Sequence, residues 1–215
     1  EDVLIEILAS STCAEVQHIK EVYKKEYDAE LESDITGDTA GHFERMLVVL
    51  VQANRDHDGG IDDAQVQEDA QALFKAGENK WGTDEEKFIT ILGTRSPRHL
   101  RKVFDSYMTI SGYQIEESIE NETSGCLKKL MLAVVKSTRS IPGYLADVLH
   151  HAMKGAGTDE ATLIRVLVSR SEIDLYDIRQ FFRKHFGASL HDKLECETSG
   201  DFRHTLLQLC GGNDA

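Results

Sequence analysis

Two glycine loops, each followed at the same interval by a carboxylate, are the residues of this chain best suited to chemistry. Gly82-Thr83-Asp84-Glu85 returns 75 residues later as Gly157-Thr158-Asp159-Glu160, and Glu122-Thr123-Ser124-Gly125 returns at the same shift as Glu197-Thr198-Ser199-Gly200. In both copies a glycine precedes the acid by 40 positions. The segments Gly77 to Thr83 and Met153 to Thr158 each hold two glycines, which allow backbone turns with positive φ and so let several carbonyl oxygens converge. Calcium takes six to eight hard oxygens, so one such loop plus one acid supplies about five and leaves the rest to water or a ligand's phosphate. A single carboxylate neutralises the ion only in part. Such a site should bind weakly alone and tighten when an anion completes it.

The same residues admit a structural reading, in which Gly-Thr-Asp ends one helix and caps the next while Glu122 and Glu197 serve the dipole of the helix that follows. Capping does not require an acid at a fixed interval, and two copies share that interval. A third unit, shifted by 84 from the middle one, keeps Asp38-Thr39-Ala40-Gly41, but its glycine loop would fall ahead of Glu1. Its site is expected to be incomplete and its unit truncated, without the first helix.

The elements that must position these residues follow from apolar spacing. Leu4, Ile5, Ile7 and Leu8 match Phe88, Ile89, Ile91 and Leu92, then Leu163, Ile164, Val166 and Leu167, a short segment apolar nearly all round and expected to be the most buried helix of each unit. Val16, Ile19 and Tyr23 match Leu100, Val103 and Tyr107, then Leu175, Ile178 and Phe182, one stripe of a longer helix. Leu31 and Ile35, and Leu47, Val48 and Leu50, likewise have two later counterparts. A fifth helix is expected ahead of each complete loop, at 64–76 and 143–153. Thr83 with Glu86 reads as a capping box, and Ser96-Pro97 as N-cap and N1. The fold class is therefore all-α, an array of five-helix units: a partial unit over 1–53, an acidic linker over 54–64, and complete units over 65–138 and 139–215. The long linker is the expected module boundary.

The net charge of −14 argues against nucleic acid and, without a polyvalent cation, against an anionic membrane. No apolar run approaches the ~18–20 residues that cross a bilayer. Four cysteines without C-x-x-C spacing suit a reducing compartment and read as small buried hydrophobes. Three other readings are open to test. Asn54 to Gln65 imitates an EF-hand loop, with Gly59 and Ile61 in place, but Asn54 replaces the first Asp and Gln65 the bidentate Glu; an acidic connector is the simpler reading. An enzyme would have to use groups such as His150-His151, yet neither H-E-x-x-H nor G-x-S-x-G occurs. A helical scaffold that binds protein and no lipid is the third.

Gly-Thr-Asp-Glu opening a buried helix, Thr94-Arg95-Ser96 and Ser169-Arg170-Ser171 after it, and acid-Thr-Ser-Gly some 40 residues on resemble the annexin repeat over essentially the whole chain. By this resemblance the chain is similar to the second repeat without its first helix, followed by the third and fourth, wound into a curved right-handed superhelical disc. The resemblance implies a non-enzymatic protein that takes calcium as cofactor and binds acidic phospholipid, phosphatidylserine above all. It further implies anticoagulant and phospholipase A2-inhibiting behaviour, trimers or lattices on membranes, and a cytoplasmic and also extracellular location without a signal peptide. Carried over by position, the carbonyls of Gly77, Lys80 and Gly82 with Glu122 form one site, and those of Met153, Gly155 and Gly157 with Glu197 the other. Secondary positions fall to Thr83 with Glu85 and Thr158 with Glu160, while Asp38 belongs to the incomplete site. Lys80 and the sole tryptophan, Trp81, are the implied lipid contacts, and Glu6 and Arg165 match channel-lining positions. Ser11 stands where the other units have Arg95 and Arg170, which puts an internal contact of that arginine in doubt.

Overall fold

The protein is described by a computed structural model over residues 1–56, 59–77, 84–155 and 157–212. Among these residues there are helices and no strands. Helices α1 (Asp2–Ser10), α2 (Cys13–Tyr27), α3 (Leu31–Asp38) and α4 (Gly41–Gln52) form the first group. The second is α5 (Asp63–Ala76), α6 (Glu85–Thr94), α7 (Pro97–Ser111), α8 (Ile115–Glu122) and α9 (Gly125–Arg139). The third is α10 (Ile141–Ala152), α11 (Glu160–Arg170), α12 (Leu175–Phe186), α13 (Leu190–Glu197) and α14 (Gly200–Cys210). None is long and apolar enough to cross a membrane.

α7 shows how the sequence makes these elements. Ser96 Oγ accepts the N–H of His99 at 3.2 Å and Pro97 occupies the first turn, so the helix start is fixed by a side-chain cap and a preset φ. Leu100, Val103 and Tyr107 then bury one stripe completely. Burying each such side chain contributes about 1.5–3 kcal/mol, an upper bound because unfolded chains are themselves partly collapsed. Gly112 ends the helix at φ 80°, and its counterparts Gly187 and Asp28 do the same at 72° and 52°; Asp is one of the few side-chain-bearing residues that visits this region readily.

Compactness divides the chain into Glu1–Arg139 and Ser140–Ala215. The division falls at the short connection rather than at the 54–64 linker, because α4 packs on α6 and α9, and α1 on α9, across that linker. Apolar stripes are covered unequally for a related reason. α5 lies along α7 and α10 along α12, so those stripes are dry, whereas α2 packs on α3 and α4 and buries Val16 while Ile19 and Tyr23 stay partly exposed. The expectation that the short apolar segment is the most buried helix of its unit fits α6, with Phe88, Ile89, Ile91 and Leu92 all inside. It fails for α11, where Ile164 is 46 % and Val168 53 % exposed: α6 has α4, α5 and α9 around it, and α11 packs on α10 and α14.

The α4–α6 crossing is close. A Cβ on Gly93 would stand 2.5 Å from Val49 Cγ1, and a β-branched side chain has little freedom to move aside. Gly93→Ala gains up to about 1 kcal/mol of helix propensity and loses about 1–3 kcal/mol to overpacking. Urea unfolding should therefore show net destabilisation of about 1 kcal/mol, restored toward wild type in Val49→Ala/Gly93→Ala. An unchanged or stabilised single variant would contradict the close crossing.

Candidate calcium and membrane site

In the Ser140–Ala215 unit, α10 ends at Ala152 and Met153, whose N–H donates to the carbonyl of His150 at 3.2 Å. Gly155 and Gly157 follow at φ 106° and 113°, values that only glycine adopts without strain. The loop is closed at its neck by the Asp159 N–H on the Ala152 carbonyl, 2.8 Å. Thr158 Oγ1 reaches 39 residues along the chain to donate to the carbonyl of Glu197 at 3.0 Å. The loop is thus tied to the residue that bears the acid. Met153 packs its side chain inside, at 4 % exposure, which leaves its backbone for the loop; Ala156 lies outside the described residues.

The Glu1–Arg139 unit repeats the plan. The Asp84 N–H closes the loop neck on the Ala76 carbonyl at 2.9 Å. A Cβ on Gly77 would lie 3.7 Å from Glu122 Cγ and 3.5 Å from Phe88 Cζ, so the end of α5, the α6 core and the α8 acid meet at this glycine. Lys80, Trp81, Gly82 and Thr83 lie outside the described residues. Of the secondary pairs, Glu85 opens α6 with His42 Nδ1 3.8 Å from its carboxylate, and Glu160 opens α11 with its N–H on the Thr158 carbonyl at 3.1 Å.

Asp38, Glu122 and Glu197 occupy one position: each is the last residue of a short helix, followed by a threonine of nearly identical backbone angles. Thr39, Thr123 and Thr198 each turn Oγ1 back to the carbonyl four residues earlier, at 2.6, 2.6 and 2.5 Å. The acids therefore sit at the negative end of α3, α8 and α13, where the helix dipole disfavours an anion by about 0.3–1 kcal/mol, and no basic residue stands in any of those last turns. This corrects the structural reading that had them serving a helix N-terminus. The capping box also needs correction. Asp84 caps α6, its side chain accepting from Lys87 N at 3.3 Å, and Asp159 caps α11, accepting from Thr162 N at 3.1 Å. Hydrogen bonds from the Thr162 hydroxyl and N–H hold the Asp159 carboxyl below its ordinary pKa.

Other candidates are placed elsewhere. Asp56 faces Arg95 and Asp62 caps α5, while Gln65 reaches Asp69, so the described residues of the EF-hand-like stretch serve local structure; Asp58 lies outside them. His150 stacks on Phe186 with centroids 3.9 Å apart, and His151 Nδ1 hydrogen-bonds with the Asp147 carbonyl. Glu6 is buried in α1, and Arg165 Nη2 donates to Thr162 Oγ1 at 3.0 Å in the other compact unit. Two features have no local signature in the sequence: the Thr158–Glu197 tie, and an internal cluster in which Arg95 and His99 converge on Asp69.

These features define an all-helical repeat protein in which Gly77 lies beside the Glu122 side chain and Thr158 donates to the Glu197 backbone carbonyl, each acidic residue closing a short helix. The annexin family model matches residues 1–50, 68–134 and 144–209. Annexin A5 of Cynops pyrrhogaster is 69 % identical over 214 residues, covering all of this chain and 66 % of that protein. Chicken annexin V superposes with TM-score 0.93 at 67 % identity, over 98 % of this chain and 66 % of that one. A calcium-bound annexin (Sm)1 gives TM-score 0.83 at 32 % identity, over 100 % and 65 %. The chain belongs to the annexin family, and it spans about two thirds of the length of the curated relatives it matches.

Proposed function

We propose that this chain binds acidic phospholipid surfaces, phosphatidylserine above all, in a calcium-dependent way through its two loop–acid pairs. The observation that carries the reading is the approach of each glycine-bearing connection to its acidic residue: the Thr158 hydroxyl donates to the Glu197 backbone carbonyl, and Gly77 lies beside the Glu122 side chain. Annexins are known as calcium-dependent phospholipid-binding proteins, and the calcium-bound relative shares the fold. The donor set fits the ion: carbonyl oxygens of Met153, Gly155 and Gly157 with the Glu197 carboxylate, and of Gly77, Lys80 and Gly82 with Glu122, are all hard oxygens. Bound calcium supplies a divalent charge whose remaining positions suit lipid phosphate. The negative helix ends at Glu122 and Glu197 add to the attraction for a cation. The same charge answers the objection that a chain of net charge −14 should avoid an anionic surface.

Co-sedimentation with phosphatidylserine vesicles tests this: the chain should pellet with calcium and remain in solution with chelator. Binding that ignores chelator, or none at any calcium level, would sink the reading. Trp81, placed by sequence between two proposed ligand-bearing residues, should blue-shift its emission when calcium and acidic vesicles are both present, as an indole entering the interface does. Unchanged emission alongside intact co-sedimentation would remove Trp81 from the lipid contact and leave the calcium sites standing.

A further inference from the structure

We propose that the face formed by α11 and α14 docks a second copy of this chain, giving a two-fold dimer that needs neither calcium nor lipid. On α11, Ile164 is 46 % and Val168 53 % exposed. Together with Ala161 and Arg165 they follow three- and four-residue spacing, so they share one side of the helix. Asp201, Thr205 and Gln208 form an exposed stripe of the same spacing on α14.

What covers such a face is visible inside the Glu1–Arg139 unit. The shifts of 84 and 75 make α1, α6 and α11 equivalent to one another, and likewise α4, α9 and α14. Between the first two helical groups α4 packs on α6, α1 on α9, and α4 on α9. Exchanging the groups turns the first contact into the second and leaves the third unchanged, so the join has the pairing of a two-fold axis although its halves differ in sequence. The rim repeats this pairing. Arg45 meets Glu86 at 2.6 Å, and their equivalents Lys129 and Asp2 meet at 2.8 Å. His42 stands 3.8 Å from Glu85, and its equivalent Cys126 donates to Glu1 at 3.1 Å. At the position of Ile164 the join holds Ile5 and Ile89, only 4 % and 1 % exposed. A face built from these two helices is therefore complementary to its own equivalent, which is what an isologous dimer requires.

The differences between the copies set the strength. Gly93 and its equivalent Ala9 become Val168, and Val49 and Ala133 become Gln208. Larger side chains at the crossing hold the helix axes further apart, and the polar Gln208 interrupts the apolar area, so the dimer is reversible and weaker than the internal join. At the rim Asp201 takes the place of His42 and Cys126 and comes opposite Glu160 of the second copy, a like-charge pair where the join has none. Both acids are exposed, so salt screens their repulsion. Residues 140–215 hold eight lysines and arginines against eleven acidic residues, so this unit carries a small share of the net charge of −14 and two such units repel little.

Sedimentation velocity of the intact chain, in chelator and without lipid, tests this over about 1–100 μM protein. The average mass of wild type should rise from monomer toward dimer and stop there. Ile164→Asp puts a charge into the contact and should stay monomeric throughout, with circular dichroism showing unchanged helix. Asp201→Lys replaces repulsion by attraction at both rims and should tighten the dimer about tenfold, a gain that shrinks in about 0.5 M salt. That tightening is a result a misfolded variant cannot mimic. A wild type that is monomeric at every concentration, association that persists in Ile164→Asp, growth beyond a dimer, or no tightening in Asp201→Lys each overturns the proposal.

Discussion

A chain carrying both Glu122→Gln and Glu197→Gln should fail to pellet with phosphatidylserine vesicles at calcium levels that fully sediment wild type, its calcium requirement rising at least about tenfold. The substitution keeps the size of each side chain and removes the one formal charge each proposed site contributes. Because calcium affinity scales with ligand charge, the loss falls on the ion rather than on the loop's shape. Each single variant should shift less, since the other loop and acid remain. Helical content should be unchanged: the side chains that cap α6 and α11 are those of Asp84 and Asp159. Identical calcium titrations for wild type and the double variant would return these loops to a purely structural role.

The largest effect on stability should come from Asp69. Its side chain is only 6 % exposed; Oδ2 receives Arg95 Nε at 2.7 Å and meets His99 Nε2 at 2.9 Å, while Oδ1 receives Arg95 Nη2 at 3.1 Å. Burial alone would raise the Asp69 pKa, but hydrogen bonds from Arg95 and His99, the arginine's charge and a hydrogen bond from Gln65 outweigh it and hold the carboxyl below its ordinary range. The guanidinium is pushed up mainly by the same hydrogen bond. Removing one partner of a buried pair costs about 3–5 kcal/mol, because the other charge is left uncompensated, so Asp69→Ala should lose about that much in urea unfolding at neutral pH. The sign with pH follows from the depressed pKa. Stabilisation by Asp69 is fully present above the unfolded carboxylate value of about 3.9 and is lost as pH falls through the lower folded value. The gap between wild type and Asp69→Asn should therefore stay constant near neutrality and narrow below about pH 4. A gap that widens in acid would mean that Asp69 is not the ionised member of the cluster.

The last helical copy shows why this cluster could not be read from sequence. At the shift of 75, Asp69, Arg95 and His99 become Tyr144, Arg170 and Asp174. The acid has moved to the histidine's position, and Arg170 pairs with it four residues on at 2.6 Å. A pair four apart on one strand of chain is legible from spacing, but a carboxylate 26 residues away on α5 is not. The apolar skeleton was legible because helical periodicity is local, and so were Ser96-Pro97 and the fifth helices at α5 and α10. Burial around α11 was not, since Ile164 and Val168 differ from Ile89 and Gly93 in what lies beside them rather than in their own spacing. The capping residue of α6 was misread by one position, from Thr83 to Asp84; in the last copy Asp159 likewise caps α11, while the Thr158 hydroxyl donates to the Glu197 carbonyl.

The packing of α4 on α6 and α9 changes what the 54–64 connector does. Met46, Leu47 and Val51 of α4 are wholly buried, so the first helical group is held to the second by side chains, and the connector, which bonds to the second group through Arg55 and Asp56, adds mainly the chain entropy of keeping them together. Doubling such a loop costs about 0.6 kcal/mol, less than burial of any one of those residues returns. The connector therefore acts as a tether that fixes an effective concentration, and the join between the two helical groups is in substance a binding equilibrium whose strength is written in α4.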